Sequence, residues 1–128
     1  MKPRVLVIDD DAVLRRLMTK LLGAGGYEPL TASGGEEGLK LLVPGSLPDA
    51  IVLDLSMPGM SGFEVLQRLR GDAATAQLPV LVLTGQAGSA DHDRSLELGA
   101  DLFMTKPFSS FELLDTIRVL LGSSRRAA

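Results

Sequence analysis

Residues 50–62, AIVLDLSMPGMSG, carry the clearest indication of the fold in this sequence. The apolar run AIVL ends abruptly at Asp54, and a short run of this kind is typical of a central strand that is buried on both faces. Pro58, Gly59 and Gly62 interrupt regular structure in the segment that follows. Asp54 is therefore predicted at the C-terminal edge of a buried strand, which is where open α/β sheets bind their ligands. An aspartate in that place could also simply cap the next turn, so the remaining strands have to be considered.

Composition limits the class of protein. The chain has 128 residues, of which 45% are hydrophobic and 23% charged, which suits one globular domain. A formal net charge of −3 disfavours a nucleic-acid surface, because phosphate binding needs clustered Lys and Arg. The absence of Cys excludes disulfides, thiol catalysis and Cys-based zinc sites. With neither a signal peptide nor an apolar stretch of about 18 residues, we expect a cytoplasmic protein without direct contact to nucleic acid or membrane.

Five apolar runs alternate with five helical patterns. The strands are predicted at 4–8, 28–32, 50–53, 79–84 and 101–105, and the helices begin near residues 12, 33, 61, 90 and 109. Three helices open with a capping box, Ser-x-x-Glu, beginning at Ser33, Ser61 and Ser109. The alternation predicts a parallel sheet covered by helices on both faces, with right-handed crossovers. Residues 1–122 should form this domain, and residues 123–128 a flexible C-terminal tail.

Polar side chains follow four of the five strands. Asp9 and Asp10 come after the first strand, Asp54 after the third, Thr84 ends the fourth and Lys106 follows the fifth. These groups can converge, because the carboxyl ends of parallel strands share one edge of the sheet. Two carboxylates about 4 Å apart repel by about 4 kcal/mol at an effective dielectric of about 20, and one Lys offsets only part of that. A divalent cation is the natural remedy, and oxygen ligands suit Mg²⁺, so the set predicts a site of phosphoryl transfer.

Polar residues at and near these strand ends each have a simpler explanation when they are taken alone. Asp11 is expected to cap the first helix rather than bind metal. A Lys-Pro pair by itself predicts only a turn. His92, the only histidine, is expected to face solvent on a polar helix, without a role. Four compatible features at four strand ends nevertheless favour a site.

The motifs VIDDD, VLDLSMPGMSG, LVLTG and FMTKPF resemble those of response-regulator receiver domains of two-component signalling. The resemblance extends from residue 5 to about residue 121. It implies a flavodoxin-like α/β fold, in which a five-stranded parallel sheet of order 2-1-3-4-5 is doubly wound with five helices.

The resemblance also assigns the phosphorylation and metal sites. It implies that Asp54 is the phosphoacceptor. Asp9 and Asp10 would hold Mg²⁺ together with Asp54, with Asp10 a direct ligand and Asp9 acting largely through water. The backbone carbonyl of Ser56 would complete the protein ligands.

Further roles follow from the same resemblance. Lys106 would contact the phosphoryl group, Thr84 would be the switch hydroxyl and Phe103 the switch aromatic. Gly85 would leave the acyl phosphate accessible. The Lys106–Pro107 peptide bond is predicted to be cis, so that Lys106 is aimed back at Asp54.

The function implied is that of a phosphoacceptor switch. Asp54 would take a phosphoryl group from a sensor histidine kinase or a histidine phosphotransfer protein. The switched domain would then act on a downstream effector protein, or on a fused output domain absent from this chain. Such a domain assists its own phosphorylation and dephosphorylation, but it is not a turnover enzyme.

Three alternatives remain open from the residues. A haloacid-dehalogenase-like phosphatase uses similar groups, but its nucleophile follows the first strand and it usually carries a cap domain. A nucleotide- or flavin-binding module would need a Gly-rich or Ser/Thr-rich segment after the first strand, where this chain has three aspartates. A degenerate receiver that docks without phosphorylation would lack key residues that this chain retains.

The output surface is expected on the fourth helix, fifth strand and fifth helix. DNA-binding receivers of the winged-helix class usually dimerise there through charged residues. This chain has Phe111 and Thr116 at places where that class carries basic residues, and Leu102 where an acidic residue is usual. We expect an apolar docking face around Phe111, Asp115 and Arg118, and no charged dimer of that class. Phe111 could equally fold over the edge of the core.

Overall fold

The computed structural model describes residues 2–85 and 89–122, and within the second range it describes side chains from residue 92 onward. The tail predicted at 123–128 lies outside the described residues. No helix in the described ranges has the length and apolar character needed to cross a bilayer.

The described residues form five strands and five helices in strict alternation. The strands are β1 (Arg4–Ile8), β2 (Glu28–Ala32), β3 (Ala50–Asp54), β4 (Val80–Thr84) and β5 (Leu102–Thr105). The helices are α1 (Ala12–Ala24), α2 (Gly35–Lys40), α3 (Gly62–Gly71), α4 (Ser89–Glu97) and α5 (Ser110–Gly122). Neighbouring strands are all parallel and lie in the order β2-β1-β3-β4-β5, which confirms the predicted doubly wound fold.

The three central strands are apolar because both of their faces are covered. In β1, Leu6 and Ile8 point into a core that is shared with α2 and α3, whereas Val5 and Val7 point into a second core shared with α1 and α5. Every residue of β3 and β4 is buried. Successive side chains of a strand point to opposite faces of the sheet, and here both faces are apolar, as expected for a sheet covered on both sides. The polar residues Asp54 and Thr84 stand only at the last position of their strands.

Helix caps confirm most of the predicted helix starts. Ser61 Oγ accepts a hydrogen bond from the backbone N–H of Glu64 at 3.3 Å, and Ser109 Oγ accepts one from Glu112 at 3.0 Å. The Asp11 carboxylate accepts from two backbone N–H groups in the first turn of α1, as predicted for a cap. These side chains satisfy N–H groups that a helix start leaves without an intrahelical partner.

The predicted capping box of α2 is wrong. The helix begins at Gly35, its cap residue Gly34 has no side-chain hydrogen bond, and Ser33 does not act as the cap. Instead Glu37 Oε1 accepts a hydrogen bond from the backbone N–H of Ser33 at 2.6 Å, so the following glutamate replaces Glu36 in the predicted pair. The helix is also shorter than expected and ends at Lys40 rather than near residue 42.

The predicted apolar stripe of α1 is wider than the surface that the helix buries. Met18 and Leu22 are fully buried, but Val13 is 74% and Leu17 is 48% exposed. These two side chains lie in the part of α1 that begins beside the acidic segment, so they leave an apolar surface near the end of β1.

An arginine network ties α3 to the N-terminal edge of β4 and β5. The half-buried guanidinium of Arg70 donates to the carbonyl of Gly99 through two nitrogens, and to that of Leu78 at 2.7 Å. It also pairs with Asp101 at 3.0 Å. The same Asp101 oxygen accepts the backbone N–H of Val80 at 2.8 Å. Asp101 is therefore bound in place before β5 begins, which is why this strand starts one residue later than predicted.

Candidate functional site

The sheet brings the predicted polar residues to one edge. Asp9 follows β1, Asp54 ends β3, Thr84 ends β4, and Lys106 follows β5. An open cavity of about 540 Å³ lies there. It is lined by Asp10, Asp11, Asp54, Ser56, Thr84, Gly85 and Lys106. Residues from four strand ends thus share one space, as parallel topology requires.

Three carboxylates form the acidic side of the cavity. One oxygen each of Asp9, Asp10 and Asp54 lies within 4.8 Å of the others. Asp9 and Asp54 are buried, whereas Asp10 is exposed. Burial weakens the screening of their mutual repulsion, so this arrangement favours a cation among the three oxygens.

Lys106 bridges the two buried carboxylates. Its Nζ lies 3.1 Å from Asp9 Oδ2 and 3.5 Å from Asp54 Oδ2. Its backbone N–H donates to the carbonyl of Thr84 at 2.8 Å, which fixes the chain as it leaves β5. The Lys106–Pro107 bond is cis, which confirms the prediction.

Backbone groups orient the other oxygen of each buried carboxylate. Asp9 Oδ1 accepts the N–H of Asp11 at 2.9 Å, and Asp54 Oδ1 accepts the N–H of Ser56 at 3.2 Å. The Oδ2 atoms therefore both face Lys106. Asp9 Oδ2 is buried and has only the ionic contact with Lys106, since no described residue donates it a hydrogen bond of good geometry. A buried oxygen in this condition is suited to a metal ion or its bound water.

Arg15 supports the acidic segment from α1, and the sequence did not single it out. Its Nη1 donates to the backbone carbonyl of Asp9 at 2.7 Å. The only signal in the sequence was a basic residue early in the helix that follows the aspartates. That signal is weak, because such residues usually lie on a solvated helix face.

The electrostatics of Asp54 follow from its surroundings. Burial raises the pKa of Asp54 from 3.8 to about 6, the charge of Asp9 adds to the rise, and Lys106 opposes it. For Lys106, burial alone would lower the pKa, but its contacts with Asp9 and Asp54 outweigh burial and raise it. When no cation besides Lys106 is present, Asp54 is therefore a mixture of its neutral and ionised forms just below neutral pH.

The predicted switch residues occupy two different positions. Thr84 is buried and lines the cavity. Phe103 lies in β5 outside the cavity, half-buried, with its ring against the imidazole of His92. The two ring centroids are 4.5 Å apart and the planes are inclined by 33°. The expectation that His92 simply faces solvent is therefore wrong.

The fold and the acidic edge define a class of protein. The family model of the response regulator receiver domain matches residues 5–118, and the chain belongs to this family. A putative response regulator from Chloroflexus aurantiacus has a similar structure, with a TM-score of 0.90 and 32% identity over 95% of this chain and 99% of that one. The chemotaxis protein CheY4 of Vibrio cholerae gives a TM-score of 0.88 at 30% identity, covering 94% of this chain and 99% of its own.

Curated relatives are longer proteins. The DNA-binding dual master transcriptional regulator RpaA of Synechocystis is 42% identical over 124 residues, which are 97% of this chain and 51% of the relative. The phosphate regulon transcriptional regulatory protein PhoB of Pseudomonas aeruginosa is 36% identical over 117 residues, 91% of this chain and 51% of its own. The chain thus spans about half the length of the curated relatives that it matches.

Proposed function

We propose that residues 1–122 are a receiver domain that accepts a phosphoryl group on Asp54. The observation that carries this assignment is the position of the Lys106 ammonium between two buried carboxylates, one of which ends the central strand. A lysine in this place neutralises part of the acidic cluster, and Asp54 still lines the open cavity.

The chemistry is a transfer to a carboxylate. An Asp54 oxygen attacks the phosphorus of a phosphohistidine, the new O–P bond forms as the P–N bond breaks, and the imidazole leaves with the electron pair of that bond. The Ser56 N–H holds the other Asp54 oxygen, so that the nucleophile is oriented before the donor arrives. Lys106 offsets negative charge on the transferred group.

The acidic cluster fits a magnesium ion. Asp9, Asp10 and Asp54, together with the backbone carbonyl of Ser56, would hold it, with Asp9 acting largely through water. The ion would supply positive charge to the phosphoryl oxygens. It would also favour the ionised form of Asp54 that nucleophilic attack requires.

The phosphodonor is proposed to be a protein, a sensor histidine kinase or a histidine phosphotransfer protein. A second cavity of about 400 Å³ adjoins the site and shares Asp11, Gly85 and Lys106 with it. Its remaining walls are apolar, formed by Leu14, Leu17, Pro107 and Phe108. Val13, four residues before Leu17 in the same helix, is also exposed. An apolar surface beside a charged site suits a protein partner better than a small ion.

Thr84 and Phe103 are proposed to carry the switch. Thr84 already lines the cavity, so its hydroxyl can reach a phosphoryl oxygen on Asp54. Its movement changes the space available to Phe103, which lies in the neighbouring strand β5. Phosphorylation then shifts an equilibrium between two arrangements, and the domain acts as a switch rather than as a turnover enzyme.

The output passes to a downstream effector protein or a fused output domain. RpaA and PhoB are transcriptional regulators about twice as long as this chain, which supports a fused domain in those proteins. The cytoplasmic location and the absence of direct nucleic-acid contact by this domain remain predictions from the sequence.

Phosphorylation with a small donor tests the assignment. The chain, incubated with acetyl phosphate and Mg²⁺, should gain the mass of one phosphoryl group, and Asp54→Asn should gain none. Asp115→Asn is the matched control, because Asp115 lies on the exposed surface of α5 and should leave labelling unchanged. Intact-protein mass spectrometry measures all three proteins. Undiminished labelling of Asp54→Asn would refute the assignment.

A further inference from the structure

The described side chains of α4 hold this helix to the domain in an unusual way. Among residues 92–97 only Ser95 is buried, and its hydroxyl donates to the carbonyl of His92 within the same helix. Leu96, the single aliphatic residue of that segment, is 44% exposed. In contrast to α1, α3 and α5, these α4 side chains place no aliphatic group in either core.

Two contacts with aromatic rings take the place of an aliphatic anchor. The imidazole of His92 lies against Phe103 of β5, at 4.5 Å between centroids. The guanidinium carbon of Arg94 lies 4.1 Å above the ring of Phe63, near the start of α3. Both rings also pack against the core that α2 and α3 share with the sheet. Described side chains on α4 thus connect the helix to β5 on one side and to α3 on the other.

We propose that His92 is a positioning residue for the switch, which holds Phe103 in the arrangement of the unphosphorylated domain. This inference rests on the proposed function, because it concerns how phosphorylation of Asp54 is coupled to Phe103. The imidazole covers one face of the Phe103 ring, so any rotation of that ring first has to separate the pair. The Arg94 contact opposes the alternative in which α4 moves together with the ring, because it ties the same helix to Phe63.

A contact that exists only in one of two arrangements biases their equilibrium. The His92–Phe103 pair favours the unmodified arrangement, so it must weaken binding of any phosphoryl-like group on Asp54 by the same factor. Aromatic pairs of this kind change such an equilibrium by about twofold to tenfold. Loss of the imidazole should therefore make the switched arrangement easier to reach.

Titration with beryllofluoride in the presence of Mg²⁺ measures this bias, because the anion mimics a phosphoryl group on a carboxylate. We expect His92→Ala to bind it about twofold to tenfold more tightly than the wild type, and His92→Phe, which keeps an aromatic face, to restore weaker binding. Leu96→Ala is the matched control on the same helix and should bind as the wild type does. Equal affinity in His92→Ala and the wild type would overturn the inference. His92 is only partly buried, so these variants should fold, and thermal melting checks this.

A double variant distinguishes a positioning role of His92 towards Phe103 from a general structural effect of losing the imidazole. In Phe103→Leu the ring is gone, so adding His92→Ala should no longer change beryllofluoride affinity; an undiminished effect would overturn the inference. Fluorine NMR of chains labelled with fluorophenylalanine adds a readout without any ligand. The resonance lost in Phe103→Leu, one of four, should shift in His92→Ala and stay in place in Leu96→Ala. A wild type that binds no beryllofluoride would refute the proposed function alone, and the fluorine resonance would then decide on His92.

Discussion

At the scale of single residues, Asp54 is held where its ionised form is costly. The pKa of Asp54 is raised by burial and by Asp9 from 3.8 to about 6. A raised pKa in the folded state means that the contribution of Asp54 to stability is present below pH 3.8 and is lost as the pH rises through about 6. In the metal-free chain at neutral pH, Asp54 therefore lowers the free energy of unfolding.

Asp54→Asn should consequently stabilise the metal-free protein at neutral pH, by about 1–3 kcal/mol, because an amide cannot ionise. Lys106 keeps Asp9 as a partner in this variant, so no buried charge is left alone. Urea unfolding across pH measures the difference, which should shrink towards zero at about pH 4. A difference that is the same at both pH values would contradict ionisation of Asp54 as its cause. Asp115→Asn, on the exposed surface of α5, should show no such gain.

Magnesium should reverse this penalty. An ion that binds only the folded chain raises stability by mass action, about 2.7 kcal/mol at 100 times its dissociation constant. We expect millimolar Mg²⁺ to raise the melting temperature of the wild type and to raise that of Asp10→Asn much less. Exposed Asp10 is the cluster member whose loss disturbs the buried pair least. The ion site would be wrong if the two proteins responded alike.

The sequence located this site well because its residues sit at strand ends. Asp9, Asp54, Thr84 and Lys106 could be placed from the order of strands alone. Arg15 and His92 could not, because their contacts, one to a backbone carbonyl and the other to an aromatic ring, depend on how α1 and α4 pack against neighbouring segments. No local pattern marks such contacts, and a basic or imidazole side chain on a polar helix usually faces solvent.

At the scale of elements, strands were easier to predict than helix boundaries. Burial on both faces makes β1, β3 and β4 apolar except at one terminal position of each strand, and that signal is strong in the sequence. The start of α2 was missed because two adjacent glutamates could each close a cap, and the choice between Glu36 and Glu37 depends on backbone geometry at Gly34. Helix ends depend on such local competition, and a single residue can shift them.

The start of α3 shows how an element fixes the site. Gly62 packs directly on the backbone of the Asp54 segment: an added Cβ would lie 2.6 Å from the Cα of Leu55 and closer still to the carbonyl oxygen of Asp54. Backbone atoms cannot move aside as a flexible side chain can. We expect Gly62→Ala to lower the free energy of unfolding by about 2–4 kcal/mol and to reduce phosphoryl uptake from acetyl phosphate.

Gly71, at the other end of the same helix, is the matched control. An added Cβ there meets nothing within 4 Å, and the residue does not have a positive φ. Gly71→Ala should therefore leave stability unchanged or raise it by up to about 1 kcal/mol, with normal labelling. If thermal and urea unfolding showed equal losses for both variants, the close approach at Gly62 would not be the cause.

At the scale of the whole molecule, the two edges of the sheet have different tasks. The C-terminal edge carries the buried Asp54, whose ionised form works against folding until a cation is bound, beside Lys106, whose charge is favoured by its contacts with Asp9 and Asp54. The N-terminal edge carries the Arg70 network, which joins α3 to Leu78, Gly99 and Asp101 by hydrogen bonds among half-buried groups. An arginine whose donors are satisfied by several backbone carbonyls and by Asp101 holds this edge together. Strain at the site can thus coexist with a stable sheet.

The surface formed by α4, β5 and α5 is where we expect whole molecules to associate. Phe111 is 77% exposed on α5, and Arg118 pairs with Asp115 of its own helix at 2.7 Å, so this charge pair is already satisfied within one molecule. We therefore expect any self-association to use apolar contacts. Raising the salt from about 0.1 M to about 1 M shortens the Debye length from about 10 Å to about 3 Å. Apolar contacts should survive this change, so the association should persist. Sedimentation of the chain loaded with Mg²⁺ and beryllofluoride measures this, with Phe111→Ser expected to abolish whatever association the wild type shows. A dimer that forms at low salt and separates at high salt would instead mean that charged residues hold this face together.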